Sequence, residues 1–243
     1  MAAQSASTFG SFITRAALPL LAIIGLQISP EEAALIAAVD LIAAAAASQV
    51  AGVWIDRLPR RPVMVAADLI RATLLGSIPL AAFLNGAVSL PHLIVVSAAS
   101  GACSTAFDIA ERSYLAGLVP TPDLRSVLGR VLGIRGAAEF FGFGVAGLLV
   151  GSIGGAAAIG VDALTYVASA LLLSALRVRE PRLPKATARR GFFTEAEEGL
   201  RQTWAIPIMR PLIASSAAIG IYFGLFRSAY MIYVVRALGL SPE

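Results

Sequence analysis

The sequence predicts an all-α integral membrane protein that threads the bilayer seven times, and three observations predict it. Hydrophobic residues make up 58% of the 243 and charged residues only 14%, with a mean hydropathy of +0.80. A soluble domain carries about 25% charged residues. The apolar residues fall in runs long enough for a helix to cross a hydrocarbon core of about 30 Å. Lys and Arg concentrate in alternate connections: the expected turns near Ser29, Asn85 and Gly154 contain none, whereas each intervening connection has at least two. An alanine-rich soluble helical protein would not alternate in this way. The positive-inside rule puts the basic connections and the amino terminus on the cytoplasmic face of a cell membrane, and residue 243 outside.

The spans follow in order. The first runs from about 2 to 27, too long and without the basic start of a cleavable signal. Arg15 lies near its middle, where a guanidinium is expected to face the bundle interior. Ser29, Pro30, Glu31 and Glu32 supply the start of the second span, about 32 to 54. Its one interior acid, Asp40, falls at a depth within reach of Arg15, and a paired intramembrane charge costs less than two lone ones. The third span, about 62 to 84, has Asp68 and Arg71 three residues apart on one face. The fourth, about 91 to 110, ends at Asp108, Glu111 and Arg112. Ser113 to Arg130 reads as a turn leading into the fifth, about 128 to 153, because it contains Pro120, Pro122, Asp123 and Arg125. That fifth span carries Arg135 and Glu139 at i to i+4 spacing. Its Gly147 and Gly151, with Gly155 beyond them, form a ridge of small residues suited to close helix packing.

The sixth span, about 156 to 176, contains Asp162. Composition then changes abruptly. Arg177 to Arg190 is a basic, proline-containing connector, and Phe192 to Pro207 has the pattern of an amphipathic helix lying at the interface. A seventh apolar run follows, about 211 to 235. The chain therefore divides into 1–177, a linker 178–210, and 211–243.

Composition excludes several function classes. The net charge of +4 and basic isoelectric point come from loop residues between apolar spans, with no basic patch interleaved with aromatics, so no nucleic-acid partner is expected. Cys103 has no cysteine to pair with, and His92 is the single histidine, which leaves no Cys/His metal cluster and no cofactor motif. No nucleophile–histidine–acid constellation suggests an enzyme.

The connection between the second and third spans reads Gly52, Val53, Trp54, Ile55, Asp56, Arg57, Leu58, Pro59, Arg60, Arg61. Its G-x-x-x-D-R-x-x-R-R pattern resembles the corresponding loop of major facilitator superfamily transporters, most closely the drug and macrolide efflux branch, with Pro59 where the family usually has glycine. GSFITRAALP from Gly10, ADLIRA from Ala67, FDIAERSYLAGLVP from Phe107 and VDALTYVASAL from Val161 resemble the same family in the right order. The resemblance implies a six-helix bundle built as a 3+3 inverted repeat, followed by the first helix of a second half. This is incomplete relative to the family's twelve helices, so the chain is not expected to transport alone and the missing carboxyl-terminal half is an expected partner.

By the same resemblance, Asp56 latches the cytoplasmic gate, and Arg60 or Arg61 meets Asp108 or Glu111. Gly52 and Arg57 belong to the same motif. The family's drug antiporters carry a glycine–proline pair in the fifth span, and here Phe143 follows Gly142. An acid inside the membrane is a candidate proton carrier; Glu139, Asp40 and Asp162 are the candidates, with Arg15 and Arg135 on the same pathway. The expected function is export of small amphipathic compounds with protons as coupling ion. The rival reading is a non-transporting membrane scaffold or sensor.

Overall fold

The structure is a computed structural model and describes residues 2–26, 28–55, 57–176 and 192–236. The expectations placed on Gln27, on Asp56, on the basic connector from Arg177 and on residues 237–243 lie outside them.

Eight α-helices are present among the described residues: α1 (Ala2–Leu20), α2 (Pro30–Ile55), α3 (Arg60–Asn85), α4 (Leu90–Leu118), α5 (Thr121–Ile153), α6 (Gly155–Ala175), α7 (Phe192–Ala205) and α8 (Met209–Arg236). A π-helical turn, Leu21–Gly25, ends α1 just past Pro19. Helices dominate because hydrocarbon offers no partner to a backbone amide, and a helix satisfies its own. Large apolar side chains such as Phe83, Leu148 and Leu164 point outward, as a protein solvated by lipid requires.

The helix starts are written locally. Ser29 and Glu32 form a reciprocal capping box: the Ser29 amide donates to Glu32 Oε2 at 2.7 Å, and the Glu32 amide to Ser29 Oγ at 3.2 Å. Ser89 accepts from the His92 amide at the start of α4, and the His92 ring meets Ser77 Oγ of α3 at 2.8 Å. Gly86 ends α3 with φ 71°, the left-handed conformation that favours glycine.

One expectation is corrected. Helix four does not stop near Ala110; α4 continues to Leu118, and the turn expected from Ser113 to Arg130 shrinks to Val119 and Pro120. The charges at 108–112 mark where the chain meets polar surroundings, but no helix breaker stands there. Pro120 does break the helix, and Pro122 fits the first turn of α5. α5 is thus 33 residues long, about 50 Å at 1.5 Å per residue, and overruns the hydrocarbon core. Among the described residues four helices are long and apolar enough to cross a membrane. A fifth counts if the bent pair Glu197–Ala205 and Met209–Gly224 is one span. The described apolar stretches of the first two helices, Ser7–Ile23 and Ala38–Ser48, are shorter.

Packing follows a two-fold pattern. α1 packs on α5 and α6, α4 packs on α2 and α3, and α3 packs on α6. Exchanging the first three helices for the second three (α1 with α4, α2 with α5, α3 with α6) leaves that set unchanged, which is the signature of a 3+3 repeat. α7 crosses α8 at 107°, with Arg210 Nε donating to the Trp204 carbonyl at 2.9 Å, and both meet the bundle along α2.

The closest approaches are made at glycines outside the expected ridge. A methyl at Gly142 would lie 2.7 Å from Phe12 Cβ, and one at Gly10 would collide with Thr165 and Asp162, whereas one at Gly147 would meet nothing within 4 Å. Of the ridge, Gly155 does face α1, at Leu21.

The buried core is two apolar clusters. One, at the end away from the basic loop, includes Ile13, Ala17, Leu75, Ile78, Leu93 and Ile159. The other, beside the loop, includes Ile55, Met64, Phe107, Ala110, Tyr114 and Leu173. Between them sit fully or nearly fully buried polar side chains: Asp68, Arg71, Asp162 and Ser169.

Candidate functional site

Charge gathers in three places. The first is the connection from α2 to α3. Gly52 lies in the last turns of α2, and the turn itself is short, with the Leu58 amide donating to the Ile55 carbonyl at 3.3 Å. Arg57 is exposed and Arg60 and Arg61 are partly buried. Arg61 Nε donates to the Leu173 carbonyl of α6 at 2.7 Å, and its Nη2 donates to the Ser174 carbonyl. The last carbonyls of a helix are unpaired and carry the negative end of its dipole, so they attract a guanidinium. A loop arginine therefore ties α3 to α6.

The second place is the charged end of α4. The resemblance assigns Asp108 and Glu111 to a loop arginine, but in the structure their cation comes from α5. Arg135 Nη2 lies 2.7 Å from Asp108 Oδ1 and 2.8 Å from Glu111 Oε2. The i to i+3 spacing of the two acids puts both on one face of α4, and one guanidinium bridges them. Glu111 is buried, with 6% of its side chain exposed, whereas Asp108 is 45% exposed. Glu139, the other partner considered for Arg135, is exposed on α5 with no ion pair among the described residues.

Arg15 is exposed on α1, its guanidinium 5.2 Å from the centre of the Phe12 ring one turn back. Asp40 is partly buried where α2 meets α4, its carboxylate against Gly101, the one residue type that leaves it room.

The third place is the polar layer between the two apolar clusters. Arg71 Nη2 pairs with Asp68 Oδ1 within α3. Its Nη1 donates to Ser104 Oγ of α4 at 3.2 Å. The guanidinium lies over two rings, 4.2 Å from the centre of Tyr166 and 4.9 Å from that of Phe107. Such stacking suits the planar, weakly hydrated guanidinium. Asp162 of α6 is fully buried and accepts from Thr165 Oγ1 at 3.0 Å. The i to i+3 spacing of Asp68 and Arg71 signals their pairing in the sequence. Nothing local brings Tyr166, Ser104 and Asp162 to them from two other helices. Among the described residues no group of three or more His, Cys, Asp or Glu side chains is placed to hold a metal ion.

Known proteins resemble this chain in sequence. The multidrug efflux pump Tap of Mycobacterium tuberculosis is 28% identical over 189 residues, which cover 76% of this chain and 45% of that protein. The multidrug efflux pump Tap of Mycolicibacterium fortuitum is 28% identical over 225 residues, 88% of this chain and 53% of that one. The chain thus spans about half the length of the curated relatives it matches. The family model described as Major Facilitator Superfamily matches residues 1–242, nearly the whole chain, and with the two-fold exchange of helices and the basic loop before α3 it establishes that the chain belongs to the Major Facilitator Superfamily.

Proposed function

We propose that the protein exports small amphipathic compounds, drug- or macrolide-like, across the cell membrane by alternating access driven by the proton gradient. The amino terminus and the basic loop face the cytoplasm, and residue 243 lies outside. The observation that carries this reading is the Arg135 bridge to Asp108 and Glu111. It joins α4 and α5, which otherwise barely touch, at the end where the basic loop lies. A charge cluster between two loosely packed helices can exchange partners as they move, so its energy differs between conformations. A gate requires that difference. The names of the relatives, multidrug efflux pumps, support the substrate class.

In this reading Asp56 latches the inner gate against the second six-helix half, with Gly52, Arg57, Arg60 and Arg61 shaping the loop around it. Arg15, Asp40 and Glu139 stand along the substrate and proton pathway. The test is efflux of ethidium from cells expressing the full-length protein, with and without a proton uncoupler. Uncoupling is expected to abolish efflux, and Asp56→Asn to impair it while leaving membrane insertion intact. Efflux that survives the uncoupler removes proton coupling; normal efflux in Asp56→Asn removes the latch.

A further inference from the structure

We propose, resting on the proton-coupled reading above, that Asp162 is the group that takes up and releases the coupling proton, in the buried layer between α1, α3 and α6. The exposed Glu139 and the partly buried Asp40 stand along the pathway but do not themselves hold that proton.

Charge balance is the first ground. The layer holds two acids, Asp68 and Asp162, and one cation, Arg71. That guanidinium is directed elsewhere by three hydrogen bonds: Nη2 to Asp68 Oδ1, Nη1 to Ser104 Oγ at 3.2 Å, Nε to the Ala67 carbonyl at 3.4 Å. Its two faces are covered by Tyr166 and Phe107. Asp162 makes no salt bridge among the described residues. Oδ1 accepts from Thr165, whereas Oδ2 is buried with no hydrogen-bond partner there. With one cation for two buried carboxylates, one negative charge is uncompensated, and a proton on Oδ2 removes it.

The groups facing Asp162 from each neighbouring element leave no other cation to do this. α1 brings Thr14 and Ser11, α3 brings Asp68 and Arg71, and α6 itself brings Thr165, Tyr166 and Ser169. On α5, Arg135 is held by Asp108 and Glu111, and Glu139 is exposed.

Space is the second ground. At Gly10 the backbone of α1 presses on the site so closely that a methyl there would collide with both Asp162 Oδ1 and Thr165 Oγ1. A metal cation needs several oxygen ligands arranged around it, and α1 closes the Oδ1 side of the site to them. A proton needs none.

A route is the third. Ser11 Oγ donates to the Ser7 carbonyl at 2.7 Å, so the 2.7 Å contact between Ser11 and Tyr166 has the tyrosine hydroxyl as donor. Ser7 and Tyr166 are both buried. The Ser11 and Tyr166 hydroxyls thus lie between the buried Ser7 carbonyl in the first half of α1 and the layer that contains Asp162. The step is a simple protonation: an O–H bond forms at Oδ2 and the same bond breaks on release. Thr14 faces Asp162 while the next residue, Arg15, lies on the open side of α1, so α1 links the buried acid to the open face.

Infrared spectroscopy of the protein in lipid nanodiscs tests the site without any substrate. At neutral pH the wild type is expected to show the carbonyl stretch of a buried protonated carboxyl. Asp162→Asn should remove it, Asp162→Glu should shift it, and Asp40→Asn and Glu139→Gln should leave it. A missing band, a band that persists in Asp162→Asn, or one that sodium chloride abolishes at constant ionic strength overturns the site. The sodium titration needs only the wild type, so it decides even when a variant does not insert. In everted vesicles containing the full-length protein, ethidium transport by Asp162→Asn should fall to the level of de-energised membranes; gradient-driven transport at the wild-type rate overturns the coupling role. Wild-type vesicles that show no gradient-driven transport would instead refute proton-coupled export, while the infrared result would still stand on its own.

Discussion

Arg135 shows how one side chain can hold two helices. Its removal leaves Glu111 buried without a cation, whereas Asp108 is exposed enough for water to screen it. Breaking a buried pair costs about 3–5 kcal/mol; with Arg135 itself 27% exposed, Arg135→Ala is expected to cost about 2 kcal/mol. Thermal unfolding in detergent measures this. Arg135→Ala combined with Glu111→Gln should recover much of the loss, because it removes the orphaned charge as well. The residues of this cluster were legible in the sequence, but not their pairing. Asp108 and Glu111 stand out as acids ending an apolar run, and Arg135 as a lone cation in a glycine-rich one. Which cation meets which acid depends on the rotation of α5 against α4. For Asp68 and Arg71 the sequence says more, since three residues of helix bring them together without help.

At the scale of the element, helix starts are the most legible feature and close contacts the least. The capping box at Ser29 and Glu32 and the proline-led start of α5 are local chemistry, readable from spacing. The continuation of α4 to Leu118 was missed because a change of surroundings was read as a change of structure: charge ends a hydrocarbon span, but only a breaker such as Pro120 ends a helix. Glycines show the opposite failure. The four-residue recurrence of Gly147, Gly151 and Gly155 suggests a packing ridge, yet Gly147 faces open space and the tight contacts fall at Gly10 and Gly142. Gly10→Ala should therefore destabilise by about 2 kcal/mol by pushing α1 off α6. Gly147→Ala should be neutral or stabilise by up to about 1 kcal/mol through helix propensity. Unfolding of the two variants side by side checks the order; equal destabilisation would contradict the contact at Gly10.

For the whole molecule, topology is the property that the loop charges argue most directly. In a Cys103→Ser background, Asn85→Cys should react with an impermeant thiol reagent added outside intact cells. Lys185→Cys should react only after the cytoplasmic face is opened. The reverse pattern would invert the bundle and place the Arg135 bridge at the outer gate. The two-fold exchange of helices gives this expectation structural sense, because inverted repeats alternate the faces of their connections.

What the sequence determined by itself is the solvent and the family: apolar runs too long for anything but hydrocarbon, and a decapeptide from Gly52 to Arg61 whose pattern resembles one family. These are properties of composition and of spacing along the chain, and folding does not alter them. The tertiary structure decided the partners. Arg135 rather than a loop arginine meets Asp108 and Glu111, Arg61 ties α3 to the last carbonyls of α6, and Asp162 is enclosed with Asp68, Arg71 and Tyr166 between two apolar clusters. Partnership between helices depends on their rotation and distance, and lipid gives little hydrophobic drive to fix either. Small residues at a few crossings, Gly10, Gly101 and Gly142, set both, and only a folded bundle shows which glycines those are.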